Sequence, residues 1–325
     1  MRNLDTWKLI SQSLEQNIPV MLLYVLESKG SSPGRQGFFM AVNADGDMEG
    51  SIGGGIMEHK FVEAAKKNLE SIARSRESES YIRKQYHDKS AAKDQSGMIC
   101  SGEQTILLCP VKEKGLSVIT NIIASLEKNE NGTLMLSPEG LHFDKIIPEN
   151  DFEYLFKSEE DWVYKEKTGF KNQLFIIGGG HCALALSRLM RPMDFYIRVY
   201  DDRKDLKTIL ENDAAHEKHL VDDYSKLKDL ISPGNNYYVI IMTLGYRSDD
   251  TALRALLGKQ FKYIGLLGSR YKVGKMLDEY KKEGINEKLL QVIRTPVGIQ
   301  IKSETPEEIA VSIAAQIIQV KNQGL

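Results

Sequence analysis

A chain of 325 residues is long enough for two domains, each with a sizeable core. It is 42% apolar and 27% charged with a formal net charge of −2, and its Lys and Arg are dispersed among acids, which speaks against a nucleic-acid partner. No apolar run approaches the roughly 18 residues that span a bilayer, and the N-terminal MRNLDTWKLI has no signal-peptide core, so the expectation is a cytoplasmic protein with no membrane partner.

Trp7, Leu9, Ile10 and Leu14 at helical spacing predict a helix over residues 5–16 with Asp5 as N-cap, ended by Pro19. The mostly apolar run 20–26 reads as a buried strand. A loop dense in turn residues follows, from Glu27 through Gly30-Ser31-Ser32-Pro33 and Arg35 to Gly37. After a second strand, 38–42, come Gly50-Ser51-Ile52-Gly53-Gly54-Gly55 and a helix over 56–74. Backbone amides at a helix start, with no side chains in the way, make an anion cradle. The other reading of Gly53, Gly54 and Gly55 is a close crossing of backbone on backbone. Arg35, Glu58 and His59 are candidates to complete a polar pocket there.

A charged stretch over 74–95 reads as mobile. Cys100 follows in a glycine-containing turn, ahead of a strand over 105–111. The three cysteines, Cys100, Cys109 and Cys182, are an odd, widely spaced set that resembles neither a disulfide framework nor a zinc site. Cys109, inside an apolar strand, reads as a small buried hydrophobe. Cys182, at a helix start, has the setting that lowers a thiol pKa, though that place in the motif usually serves packing. Cys100 is the thiol expected to do chemistry, because a turn leaves it accessible and a soft thiolate suits molybdenum or sulfur transfer. An amphipathic helix over 115–128 and short strands over 132–143 and 154–164 complete this half. The polar stretch 166–172 breaks the apolar pattern and places a boundary between domains 1–165 and 172–325.

The second half opens on a βαβ pattern. An apolar run, 174–177, meets Gly178-Gly179-Gly180; a helical pattern opens at His181; and a second apolar run, 195–200, ends on Asp201-Asp202-Arg203. This is a variant of the dinucleotide fingerprint, with Ala183 in the place of its third glycine. The helix dipole and free amides would stabilise a phosphate or pyrophosphate at the turn. Asp201 or Asp202 would accept from a ribose hydroxyl, or Arg203 would receive a 2′-phosphate, which leaves NAD and NADP both open.

Strands at 237–242 and 263–267 alternate with helices at 249–257 and 272–282, and a final helix covers 306–320. The fold class is therefore α/β: an N-terminal α/β domain, then a Rossmann-like domain whose mostly parallel sheet is covered by helices on both faces. Loops at strand ends, 243–249 and Gly268-Ser269-Arg270, should border the nucleotide site, with Arg270 a candidate phosphate partner. Thr305, Pro306 and Glu308 form a capping box for the last helix.

With these residues in view the chain resembles the XdhC/CoxI family of xanthine dehydrogenase accessory factors over nearly its whole length. The resemblance rests on Gly30-Ser31-Ser32-Pro33, on Gly50 to Gly55 with Glu58, and on the Cys100 turn. In the second half it rests on Gly178-Gly179-Gly180-His181, Asp201-Asp202-Arg203, Gly265 to Arg270, Thr295 to Gly298 and Thr305 to Ala310. It implies a protein that binds the molybdenum cofactor, protects it, assists its sulfuration and hands it to an apo molybdenum hydroxylase. A cofactor-binding chaperone rather than a catalyst, a cysteine desulfurase as further partner and a homodimer belong to the same implication. The cofactor-binding residues so implied are Ser32, Arg35, Gly53, Gly54, Gly55, Glu58, Gly178, Gly179, Gly180, His181, Asp201, Asp202, Arg203, Gly268, Ser269 and Arg270. Cys100 would contact molybdenum or its sulfur. Two positions depart: the family commonly has Cys-Gly-Gly where this chain has Cys100-Ser101-Gly102, and often Met-Thr-His where it has Met242-Thr243-Leu244. The alternative from another class is an NAD(P)-dependent oxidoreductase, supported by the fingerprint alone.

Overall fold

The run 20–26 is apolar at nearly every position because it is buried on both faces. In the computed structural model, which describes residues 3–75, 79–86 and 102–323 (side chains only to 72 in the first range), it belongs to β1 (Val20–Gly30). Two compact units are present, Met1–Gly169 and Phe170–Leu325.

In the first unit β1 lies at the centre of a five-stranded sheet, order β3-β2-β1-β5-β4, with β2 (Phe39–Asn43), β3 (Met48–Gly50), β4 (Tyr81–Tyr86) and β5 (Gly102–Val111). Every pairing in it is antiparallel. Alternate β1 side chains point to opposite faces. Val20, Leu22, Tyr24 and Leu26 pack with Trp7, Ile10 and Leu14 of α1 (Leu4–Glu15) and with Ile119, Ile122 and Leu126 of α3 (Leu116–Glu127). Met21, Leu23 and Val25 pack with Met57, Phe61, Val62, Ala65 and Leu69 of α2 (Gly55–Ser75). Each such side chain, fully buried, contributes about 1.5–3 kcal/mol.

Two expectations need correction here. Asn3, not Asp5, is the N-cap of α1, and Asp5 sits in the first turn. Part of the stretch expected to be mobile is the strand β4, whose polar side chains are mostly those of a sheet edge; residues 76–78 and 87–95 of that stretch lie outside the described residues. The division between the units falls within the polar stretch 166–172, whose first residues end a strand. A four-stranded antiparallel sheet, order β7-β6-β9-β8, is formed by β6 (Gly132–Ser137), β7 (Gly140–Asp144), β8 (Phe152–Ser158) and β9 (Asp161–Thr168). It adds Leu134, Leu136, Trp162 and Tyr164 to the core under β1. Glu166 is buried in β9, where it accepts from the hydroxyls of Tyr24 at 2.6 Å and Tyr164 at 2.8 Å.

The second unit is a six-stranded sheet, all parallel: β10 (Asn172–Ile177), β11 (Phe195–Asp201), β12 (Glu217–Leu220), β13 (Gly234–Ile241), β14 (Phe261–Leu266) and β15 (Ile293–Arg294), in the order β12-β11-β10-β13-β14-β15. Counted from β10, that is the doubly wound order 3-2-1-4-5-6, which reverses between β10 and β13. On one face Leu174 and Ile176 meet Ala183, Leu186 and Met190 of α4 (His181–Met190), along with Ile313 and Ile317 from the chain's last helix. On the other, Phe175 and Ile177 share a core with Leu253, Leu256, Val273 and Met276.

The remaining helices are α5 (Lys207–Leu210), α6 (Leu227–Leu230), α7 (Tyr246–Leu256), α8 (Arg270–Lys282), α9 (Glu287–Gln291) and α10 (Pro306–Asn322). The expected capping box of α10 is formed: Thr305 accepts from the Glu308 amide, and Glu308 accepts from the Thr305 amide. Strands β12 and β15 and the short helices α5, α6 and α9 carry too little periodicity to be foreseen.

Candidate functional site

In a parallel sheet all strands end on one edge, so the turns after β10, β11, β13 and β14 share the carboxyl edge of the second unit, where ligands of such sheets bind. The three glycines after β10 do different work. Gly178 has φ +103°, and a Cβ there would stand 2.3 Å from the carbonyl oxygen of Met242, so it lets the turns after β10 and β13 meet at the switch point. A Cβ on Gly179 would strike the Ile209 side chain of α5 at 2.2 Å. Thr208 of the same helix donates to the Gly179 carbonyl at 2.5 Å. Gly180 is different. It caps α4 with extended backbone, no side chain caps that helix, and a Cβ would meet nothing within 4 Å. The turn is therefore open to a ligand at Gly180, beside His181, the exposed first residue of α4.

Asp201 closes β11 facing inward. Its fully buried carboxylate accepts from the Gly179 amide at 2.6 Å, the Arg203 amide at 2.9 Å, and the Arg203 guanidinium through Nε at 2.8 Å and Nη2 at 2.7 Å. Burial pushes this carboxyl up, but the hydrogen bonds from Arg203 and Gly179 outweigh it and hold it below the usual range. Asp202 is the exposed acid of the pair; its Oδ1 accepts from the Tyr224 hydroxyl at 3.3 Å.

The turns after β13 and β14 are joined through Thr243 and Asp249, within the loop expected to border the site, and Lys272, which the sequence does not single out. Buried Asp249 accepts from the amide of Thr243 at 3.0 Å, from its hydroxyl at 2.6 Å, and from the ammonium of Lys272. An acid in the first turn of a helix that follows a strand is the signal that could have found it. Gly268 packs against Val273, Ser269 caps α8 by accepting from the Lys272 amide, and Arg270 is the exposed first residue of that helix.

In the first unit the glycines of the loop differ in what surrounds them. A Cβ on Gly53 would lie 2.4 Å from the Gly34 nitrogen, and one on Gly34 would lie 1.9 Å from the Ile52 carbonyl oxygen, so the 30–34 and 50–55 loops cross backbone on backbone. Buried Gln104 ties the crossing by donating to the carbonyls of Gly34 and Ile52. Gly54 and Gly55 have φ +74° and +70° with open space where a Cβ would stand. The anion seat itself is filled from within. Glu58 Oε2 accepts from the Ser51 hydroxyl at 2.7 Å and from the amides of Ile52 at 2.9 Å and Gly54 at 3.0 Å. Ser32 is buried and donates to the Gly34 carbonyl, Arg35 donates to the Gly30 carbonyl, and His59 is exposed.

Residues 174–317 match the XdhC Rossmann domain, and residues 13–81 match the XdhC and CoxI family. The chain belongs to the XdhC/CoxI family.

Among curated relatives, it is 27% identical over 314 residues to an uncharacterized protein, YqeB, of Escherichia coli, covering 95% of this chain and 45% of that one. It is also 34% identical over 84 residues to a probable xanthine dehydrogenase subunit of Bacillus subtilis, covering 26% of this chain and 23% of that one. The chain thus spans less than half the length of either. A crystal structure described as a xanthine dehydrogenase from Bacillus halodurans aligns with TM-score 0.71 at 22% identity, covering 100% of this chain and 97% of that one, which shows a shared fold.

Within this XdhC/CoxI chain, Leu244, where the family often has histidine, is 80% exposed in the turn after β13. Cys100 lies outside the described residues; the strand that follows begins at Gly102, paired with Gly30. Cys109 is buried, and its thiol is pushed up by that burial, as expected of a packing residue. Cys182 also goes up rather than down, because burial and then Glu307 outweigh the helix start. Among the described residues no group of three or more His, Cys, Asp or Glu side chains is placed to hold a metal, and no helix is long and apolar enough to cross a membrane.

Proposed function

We propose that this XdhC/CoxI chain is a maturation factor for a molybdenum hydroxylase of the xanthine dehydrogenase class, which binds the molybdenum cofactor, assists its sulfuration and hands it to the apoenzyme. The observation that carries this reading is the open turn at Gly180. A Cβ would meet nothing there, and α4 begins without a side-chain cap, so an anionic group can approach backbone amides and the positive end of the helix dipole. The cofactor carries a phosphate and, in many bacterial enzymes, a nucleotide extension, which fits that donor set. The glycine loop of the first unit fits a phosphate less well, because Glu58 already takes the amides of Ile52 and Gly54. The phosphate-bearing end is therefore assigned to the second unit.

When bound, the cofactor would supply a molybdenum centre with an exchangeable sulfur. The chain's own contribution is to hold the ligand by amides at Gly180 and His181. Cys100 is the thiol assigned to sulfur contact, with a cysteine desulfurase as the sulfur source. A homodimer in the cytoplasm completes the reading, and sedimentation at twice the chain mass is the outcome expected for it.

The test is transfer. Cofactor-loaded protein is mixed with cofactor-free xanthine dehydrogenase and xanthine oxidation is followed. Recovery of activity beyond that given by free cofactor is expected, and Cys100→Ala should lower it while cofactor retention persists. No recovery beyond the free cofactor would overturn the reading. A second reading, an NAD(P)-dependent oxidoreductase, is favoured by the doubly wound strand order around the same crevice. Turnover of a nicotinamide cofactor in a substrate screen is the result that would establish it.

A further inference from the structure

An acid that closes the second strand of a dinucleotide-binding unit ordinarily accepts the hydroxyls of the adenosine ribose. Asp201 stands at that place, but its acceptor capacity is spent. A carboxylate offers about four lone-pair sites, and Asp201 receives hydrogen bonds from the Gly179 amide, the Arg203 amide, and Nε and Nη2 of Arg203. With its side chain 0% exposed, no site remains for a ribose hydroxyl.

The same contacts leave Arg203 with donors to give. A guanidinium carries about five N–H groups in a rigid fork, and the two spent on Asp201 use its inner edge. The Nη1 protons and the second Nη2 proton are not used in those bonds, and the side chain is 34% exposed. Because Asp201 Oδ2 also holds the Gly179 amide, the guanidinium is braced to the glycine turn itself. Two parallel N–H donors fixed on one plane match two oxygens of a phosphate, at no further cost in side-chain ordering.

We propose that this crevice selects a nucleotide that bears a phosphate on its adenosine ribose, with Arg203, braced by Asp201, as the residue that reads that phosphate. The inference goes beyond the proposed carrier role and rests on the crevice being a nucleotide site, which such a nucleotide and the phosphate-bearing end of the cofactor would occupy in turn, not together. Gly180 is the open approach for the pyrophosphate of such a ligand. The competing acceptor is Asp202, exposed and 4.0 Å from Arg203 Nε, which would serve an unphosphorylated ribose instead.

The probes are NADPH and NADH, titrated by their own fluorescence into the full-length protein and into Arg203→Ala, Arg203→Lys and Asp202→Asn. NADPH is expected to bind at least about tenfold more tightly than NADH, the equivalent of one charge-assisted hydrogen bond. Arg203→Ala should remove that advantage while NADH binding holds or improves, because acceptor sites on Asp201 come free. Arg203→Lys, which keeps the charge but not the fork, should retain only part of it, and Asp202→Asn should leave NADPH ahead. Equal affinities, or NADH ahead, in the unaltered protein would overturn the inference and leave the nucleotide site standing. A collapse of NADH binding in Asp202→Asn, with NADPH not ahead in the unaltered protein, would assign the ribose to Asp202 and overturn it likewise. Binding of neither probe would overturn the nucleotide site as well.

Discussion

Gly178 and Gly180, two residues apart, separate what holds the fold from what a ligand needs. Gly178 has φ +103° and no room, so Gly178→Ala should destabilise the second unit by about 2–4 kcal/mol, read as a lowered melting temperature. Gly180 has φ −70°, ψ −170° and open space, which alanine tolerates. Gly180→Ala should therefore melt with the unaltered protein yet bind nucleotide at least about tenfold more weakly in a titration, since the added methyl lies where the ligand approaches. Equal binding would place the ligand elsewhere. His216 offers a second test. Its Nδ1 accepts from the Ile197 amide, its buried Nε2 has no hydrogen-bond partner among the described residues, and burial, then Arg191, lowers its pKa from 6.5 to about 4. The folded state thus favours the neutral ring. Stability contributed by His216 is complete above pH 6.5 and is lost as the pH falls from 6.5 through about 4. Urea midpoints measured across that window should fall, and the fall should be shallower in His216→Gln.

At the scale of elements, α2 begins where the chain supplies its own anion. With Glu58 removed, the Ser51 hydroxyl and two amides lose their acceptor, so Glu58→Ala should cost the first unit about 1–3 kcal/mol, while Glu58→Gln, which keeps an oxygen, should cost less. Denaturant midpoints check this, and an unchanged midpoint for Glu58→Ala would mean the carboxylate is not what holds the loop. The same site shows where sequence reading stops. The glycines, the helix after them and Glu58 were all legible as a group, but whether that carboxylate joins a pocket or fills it depends on three hydrogen bonds within a turn. The long apolar run of β1 was legible because two-sided burial removes alternation. The edge strand β4 was not, because one solvated side and Arg83 and Lys84 at its centre resemble a loop. Glu166 misled for the opposite reason: an acid in a polar stretch signals solvent, yet two tyrosine hydroxyls take it into the core.

At the scale of the molecule, alternating strands and helices made the parallel sheet of the second half legible, and the glycine turn located its crevice. What could not be read was the division of labour there, since Asp201 and Arg203 are spent on one another and α5, only four residues long, covers Gly179. Membership of the XdhC/CoxI family gives this arrangement its context, and binding of the molybdenum cofactor is the claim on which the proposed function turns. The most direct measurement is native mass spectrometry of the protein purified from a host that makes that cofactor. A mass increment equal to the pterin cofactor is the expected result. A bare chain, or an increment of NAD alone, would contradict it.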